Sequence, residues 1–540
     1  MNDFITNLLL KTMENNLQNQ GIVPTVLPSW PDFAAGTTAN GTYMLISNYA
    51  VTGTLALNAN ITIIFAGGRF TGSGTIQGNN TTFVAPPIQV FDSTINFSGT
   101  WKMDTVYAEN FGDTNTSNSA PAINKALVLS NLCGCIVQLL SKTYTITESI
   151  IIRGNTRLQG TIEGPGLTGD SVPSKNGTLI TTTSNINILH IQSTGNSSAS
   201  NIDCYRFAIK NIAIRHSGSN ENSTTTGNSI YIESTASNRE IIPRIGHISN
   251  LIIKHTTSDG QGITPYGYGI YVTGGSYIEF HNINIGYGKG VYITGNKLQE
   301  FLWFNKVVIS DIKPPTSKSA ELASAFEITH GNNIYLTEVD TNDSDVGLMI
   351  NNSTGETFNV FVNRINSVRC KYGIYLKTFS YYLTRIKISE ATISQTSSQD
   401  LSAVSALYFV KNATSSPHID NCIFDNINVD SSNLWNTGFR SIIDNNSIYN
   451  SKFLNIKTID KIALATATAN NKLTVLNMQE GGVLRPGSSG SSFSHDFYSN
   501  NTNSPNSPMP GKPVVVISTN KQTPFSVITG NIQGGGVTLL

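Results

Sequence analysis

Carboxylates crowd one short stretch of this 540-residue chain, Glu338-Val339-Asp340-Thr341-Asn342-Asp343-Ser344-Asp345. Cleavage of a glycosidic bond by water needs two carboxyl groups, one to protonate the leaving oxygen and one to activate water or to attack. They must lie about 5–9.5 Å apart. Residues two apart on one strand, or on neighbouring strands, supply such distances. Glu338 and Asp340 alternate with Val339, which places both off one face of a strand, and Asp343 and Asp345 fall in the turn before Gly347. The run reads equally as a calcium loop with oxygen ligands or as an exposed acidic turn. Glu279 and His281 form a second candidate, facing the same way across Phe280. A histidine beside a carboxylate can act as a general base, or be a polar surface pair.

Aromatic rings matter for the same chemistry, because sugar rings stack on them. Tyr266, Tyr268, Tyr271, Tyr287 and Tyr292 cluster, and Tyr381 and Tyr382 add a pair. The alternative is that tyrosines stack along a sheet without any ligand. The catalytic candidates are therefore Glu338, Asp340, Asp343 and Asp345. The substrate-binding candidates are Tyr268, Tyr271, Tyr292, Glu279 and His281. Arg364, Arg369 and Lys371 follow the acidic run and offer the basic group that lyase chemistry would require.

These residues ride on a repeat. Gly269-Ile270-Tyr271-Val272 returns as Gly290-Val291-Tyr292-Ile293, Gly347-Leu348-Met349-Ile350 and Gly373-Ile374-Tyr375-Leu376. A second phrase alternates with it, as in Asn211-Ile212-Ala213-Ile214, Asn250-Leu251-Ile252-Ile253, Asn282-Ile283-Asn284-Ile285, Arg385-Ile386-Lys387-Ile388 and Asn426-Ile427-Asn428-Val429. Ile270 to Val291 is 21 residues, Phe326 to Leu348 is 22 and Leu348 to Ile374 is 26. A strand–helix–strand crossover needs about 30 or more, so each period holds two or three short strands and their turns. Stacking such coils in register gives a parallel β-helix, with Ile270/Val272 and Val291/Ile293 in continuous inward stacks and Tyr271 and Tyr292 facing outward.

Charged residues are 13% of the chain, with 34 basic and 34 acidic side chains and no net charge. That is about half the usual charged share, and it leaves no global basic field for nucleic acid or an anionic membrane. Neutral Asn, Ser, Thr and Gly take the place of charge, which suits both tight turns and carbohydrate. No apolar run reaches the length of a membrane span. The start of the chain carries Asp3 and only a short Leu8-Leu9-Leu10 run, which does not read as a secretory signal. Export would then need another route, such as travel within an assembled particle. The five cysteines match no zinc spacing and read as small buried residues. No cofactor motif stands out.

The organisation expected is a short N-terminal helix and Pro-rich linker over 1–35, a β module over 36–104, the β-helix over 105–483, a Pro/Ser/Asn-rich linker over 484–513 and a small C-terminal β element over 514–540. One further helix is expected near 119–131, opened by Ser119 and Pro121 and lined by Ala120, Ile123, Ala126 and Leu127.

The stretch Tyr107-Ala108-Glu109-Asn110-Phe111-Gly112-Asp113, the helix through Ala126, Lys142-Thr143-Tyr144-Thr145-Ile146 and Thr156-Arg157-Leu158-Gln159-Gly160 resembles the opening of pectate-lyase-superfamily proteins. It departs from that pattern at Asn115–Ser119, where aspartates are usual, and at Ser141-Lys142, where the family has Pro-Gly. Arg385-Ile386-Lys387 is similar to an element of polygalacturonase-like hydrolases, whose Asp-Asp and Gly-His-Gly elements have no match; Gly246-His247 lacks the second glycine. The segment from Gly67-Gly68-Arg69-Phe70 to Gly99-Thr100-Trp101 resembles a module that precedes this domain in proteins of Bacteroidetes and their phages.

The resemblance implies an all-β, right-handed parallel β-helix of pectate-lyase type. It also implies a phage tailspike or tail-fibre subunit: a homotrimer of the virion tail, docked to tail or baseplate proteins by its N-terminal region and attached to a bacterial surface glycan. An active polysaccharide depolymerase, hydrolase or lyase, and a purely structural tail component are the alternatives. Exposed ends and long flat faces of a β-helix independently favour self-association.

Overall fold

The computed structural model describes residues 37–161, 177–193, 204–217, 227–234, 242–256, 267–295, 299–312, 322–394, 405–411, 419–430, 440–445, 448–449 and 451–458, with the backbone of short strands at 25–27, 462–465, 474–478, 484–485, 516–520 and 523–527. The helix expected over the first 20 residues lies outside them. Two compact units divide the chain, residues 1–216 with 243–251 and residues 217–242 with 252–540.

In the first unit, strands Thr42–Leu45, Thr62–Phe65 and the end of Thr75–Val84 pair in parallel, with Tyr43 opposite Ile63 and Ile63 opposite Phe83. Each coil thus advances by twenty residues, and inward positions repeat in column. Phe65, Phe83, Phe91, Phe97 and Phe111 fill the interior, with Phe91 contacting the other four at centroid separations of 5.0–5.4 Å. The helix expected near 119–131 spans Ala120–Cys133 and buries Ala122, Ile123, Ala126, Leu127 and Leu129. Gly134 ends it at φ 73°, its N–H bonding Ser130 O, a left-handed cap that glycine adopts without steric cost. Beyond the helix, Glu109 is buried and accepts hydrogen bonds from Tyr144 (2.7 Å) and Thr114 (3.0 Å), with Lys142 Nζ at 3.1 Å. Two of the segments that carry the pectate-lyase resemblance, 107–113 and 142–146, are thereby pinned around one carboxylate. Removing one partner of such a buried pair costs about 3–5 kcal/mol.

In the second unit the coils from Tyr268 to Ser394 each contribute one short and one long strand to two parallel sheets. The short strands include Tyr268–Val272, Lys289–Ile293, Ser324–Ile328, Val346–Asn351, Tyr372–Thr378 and Ser405–Lys411, paired in that order. The long strands include Gly275–Gly286, Gln299–Ile312, Gly331–Ser344, Thr357–Val368 and Leu383–Ser394, also paired in order. The parallel β-helix expected from the repeat is the fold observed. Ile270, Val291, Phe326, Leu348, Ile374 and Leu407 form one register column, each with no exposed surface. The glycine opening the Gly-Ile-Tyr-Val phrase has a packing cause. A Cβ on Gly269 would sit 2.7 Å from Ile285, and one on Gly373 would sit 2.6 Å from Ile393. Val516–Asn520 and Thr523–Val527 pair antiparallel as the C-terminal β element.

The long strands are not flat. Every fifth residue takes a left-handed conformation and turns the chain, as at Asn333 (φ 55°), Glu338 (φ 54°) and Asp343 (φ 52°). The next coil repeats this at Asn359, Arg364 and Arg369, and the preceding one at Phe301, Lys306 and Asp311. A non-glycine residue in this region costs roughly 1–2 kcal/mol, least for asparagine. Asn211, Asn250, Asn282, Arg385 and Asn426, the first letters of the second sequence phrase, are all such corners.

Candidate functional site

The corners cut each long strand into flat segments, and on each segment alternate side chains face outward. Glu279, Trp303, Tyr335, Phe361 and Lys387 occupy one outward register column across five successive coils. Trp303 and Tyr335 stack at 5.7 Å and 9°, and Tyr335 and Phe361 at 5.2 Å and 13°. Tyr277 and Phe301, at the corner positions beside the column, stack at 4.8 Å, and Phe301 lies 6.2 Å from Trp303. Nearly parallel rings at these separations are offset rather than eclipsed, so part of each face stays open. Tyr277 is 48% and Phe361 36% exposed. Glu279 and Lys387 close the row with opposite charges. This aromatic row was not among the sequence candidates. Its signal was available in the recurrence apolar–aromatic–apolar of Leu302-Trp303-Phe304, Ile334-Tyr335-Leu336 and Val360-Phe361-Val362.

Glu279 and His281 face outward from the same flat segment, with Trp303 and Asn305 opposite them on the next coil. They therefore border the aromatic row.

The acidic run separates into four environments. Strict alternation fails at Thr337 and Glu338, which are both outward, because Glu338 is itself a corner. Glu338 is ion-paired with Arg364. Asp343 lies at the next corner, within the long strand rather than in the turn before Gly347, and Arg369 Nε donates to it at 2.6 Å. Asp345 accepts the backbone N–H of Ala323 at 2.9 Å. Asp340 stands apart. Burial raises its carboxyl above the ordinary range, a hydrogen bond from Asn366 and the charge of Arg364 pull it back, and the charge of Glu338 pushes it up again. Two of the four carboxylates are thus neutralised by guanidiniums at corners, and the upward shift of Asp340 is in the direction expected of a group held for proton transfer. Among the described residues, no three His, Cys, Asp or Glu side chains converge as a metal site.

Tyr268, Tyr271 and Tyr292 lie on the other sheet, so the substrate-binding candidates do not form one cluster. Tyr271 is sandwiched between Tyr231 (5.2 Å, 17°) and Tyr292 (5.5 Å, 16°), and Tyr268 stacks on Tyr292 at 4.7 Å. Lys289 Nζ sits 4.8 Å from the Tyr268 ring centre. Burial first, then the neighbouring Tyr292 and Tyr231, pushes the Tyr271 phenol up to about 12. These rings turn their faces to one another.

No protein-family model and no curated protein sequence matches the chain. Solved structures do share its architecture. The catalytic unit of an α-1,3-glucanase from Streptomyces thermodiastaticus is 14% identical with a TM-score of 0.40, over 72% of this chain and 66% of that one. The Dettilon tailspike protein is 13% identical with a TM-score of 0.40, over 69% and 68%. An exopolygalacturonase from Thermotoga maritima is 10% identical with a TM-score of 0.38, over 81% and 96%. Tailspikes and glycan-degrading enzymes are thus among the structures it resembles. The chain spans about two thirds of the length of the first two.

Proposed function

We propose that the chain is a tailspike or tail-fibre subunit that attaches a phage to a surface polysaccharide of its host. The observation that carries this reading is the row Tyr277, Phe301, Trp303, Tyr335 and Phe361, exposed at Tyr277 and Phe361 and half-buried between them. Contiguous rings partly open to water mark a contact surface, and sugar rings stack on aromatic surfaces. Glu279, His281 and Lys387 at its borders supply hydrogen bonds to hydroxyls. A homotrimer, and docking to tail proteins through the N-terminal region, complete the proposal. The test uses Trp303→Ala and Phe361→Ala in the full chain, with binding to host surface polysaccharide and native mass measured together. A loss of about tenfold or more at unchanged mass supports the reading. A fall to the single-subunit mass would instead make the row a contact between copies, and unchanged binding would refute it.

A second reading, cleavage of the bound glycan, is favoured by Asp340 alone. A carboxyl raised by burial suits a general acid. In that case Asp340→Asn lowers the release of reducing ends, or of unsaturated sugars, by roughly a hundredfold or more while binding persists. Retained binding with no product from the unaltered protein would leave attachment as the whole function.

A further inference from the structure

In the first unit a groove of about 350 Å³ is lined by Arg157, Arg206, Lys210, His247 and the apolar side chains of Ile136 and Ile245, among others, and by no Asp or Glu. We propose that this groove binds an anionic saccharide, a sugar unit bearing a carboxylate or phosphate group. The proposal rests on the polysaccharide reading for the sugar, and on its own geometry for the charge.

The sequence builds the groove in register. Arg157 lies opposite Ala208 and Gln159 opposite Lys210 on adjacent parallel strands. Strands are about 4.8 Å apart and alternate residues about 6.6 Å, so the three cationic heads can reach one small ligand. Ala208 is the smallest side chain in that outward row, between Arg206 and Lys210, and the space above it is what opens the groove. Arg206 (φ 62°) and Ile245 (φ 54°) are corner residues, which swing their side chains to the rim. A Cβ on Gly246 would fall 2.1 Å from the Phe207 ring, so the glycine lets Phe207 pack beneath while Ile245 and His247 flank it. The Arg206 guanidinium lies 5.1 Å from the Tyr205 ring centre, which orients it. Among the described residues Arg157, Arg206 and Lys210 have no carboxylate partner, whereas Arg364 and Arg369 in the second unit are both ion-paired. Three clustered cations without counter-charge repel one another and await an anion. The exposed Ile245 and the half-buried Ile136 and Ala208 beside them offer an apolar contact, which suits the C–H face of a sugar better than a bare ion.

Titration calorimetry on the full chain tests this with four probes: a uronate oligosaccharide, its carboxyl-reduced neutral counterpart, a glycerol-phosphate oligomer and inorganic phosphate. The expected result is at least tenfold preference for one of the charged oligomers over the neutral one, weakening with salt. Arg206→Ala and Lys210→Ala, both exposed, lower that preference at least tenfold, and Ala208→Phe blocks the groove without changing charge. Whether uronate or phosphate oligomer wins identifies the anion, and either outcome supports the site. Binding of inorganic phosphate alone, sensitive to Arg206→Ala, would support the anion site while refuting the polysaccharide reading. Equal affinity for charged and neutral oligomers, a preference that survives Arg206→Ala with Lys210→Ala, or no binding of any charged probe would overturn the proposal.

Discussion

Among the aromatic stacks of the second unit, two contrast, one on each sheet. On the short strands, Tyr231, Tyr271 and Tyr292 follow one register column, with Tyr268 packed beside it. On the long strands, Trp303, Tyr335 and Phe361 follow another. Both obey the same rule, that in-register coils place like side chains one above the next. They differ in surroundings. The tyrosine stack covers its own ring faces, and burial raises the phenols of Tyr231, Tyr271 and Tyr292. The mixed stack leaves Phe361, a ring with no polar atom, 36% exposed and is bordered by opposite charges. Stacking alone is therefore no sign of a ligand; stacking that remains open to water is. The first stack holds coils together, and the second offers a surface.

The largest effect should separate the two directly. Tyr271→Ala removes a ring sandwiched on both faces and should lower unfolding free energy by about 2–4 kcal/mol, measured by urea denaturation, with glycan affinity nearly unchanged. Trp303→Ala should cost less stability than Tyr271→Ala while weakening glycan binding. Equal losses of stability in both variants would dissolve the distinction. Next in size is a pH effect on the tyrosine stack. The Tyr271 phenol is raised in the folded protein to about 12. Its contribution is therefore fully present below the ordinary tyrosine value of about 10 and is lost as pH rises through about 12. Tyr271→Phe should flatten that alkaline loss of stability. The smallest effect is expected at the corners. Glu338→Asn breaks the exposed pair with Arg364, worth about 0–1 kcal/mol, but puts at φ 54° the residue that tolerates it best. The net change in melting should be close to zero, and a large loss of glycan cleavage in this variant would return Glu338 to the catalytic candidates.

The repeat made the β-helix legible because inward Ile, Val and Leu recur at coil spacing, as at Ile270, Val291 and Ile374. The helix over Ala120–Cys133 was legible from Ser119, Pro121 and its apolar face. The corners were not. Asn282 and Asn426 read as the first residues of strands, and their left-handed backbone appears only once a five-residue bend is known to cut each long strand. That bend is why the acidic run misled. Alternation across Val339 held locally, but Glu338 and Asp343 are corner residues matched by Arg364 and Arg369 one coil on. Arginines 26 residues away in sequence cannot be joined to a carboxylate by spacing alone. The aromatic row was overlooked for a related reason. Trp303, Tyr335 and Phe361 share no letter, so a search for repeated words passes over a column that repeats only in kind.

The central claim is that the open row on the long-strand sheet, and not the closed tyrosine stack, meets the glycan. The most direct measurement is a binding isotherm on host surface polysaccharide for the unaltered protein, Trp303→Ala and Tyr271→Phe, side by side at confirmed native mass. The expected result is at least a tenfold weaker affinity for Trp303→Ala and an unchanged affinity for Tyr271→Phe. Unchanged binding by Trp303→Ala with loss in Tyr271→Phe would contradict it.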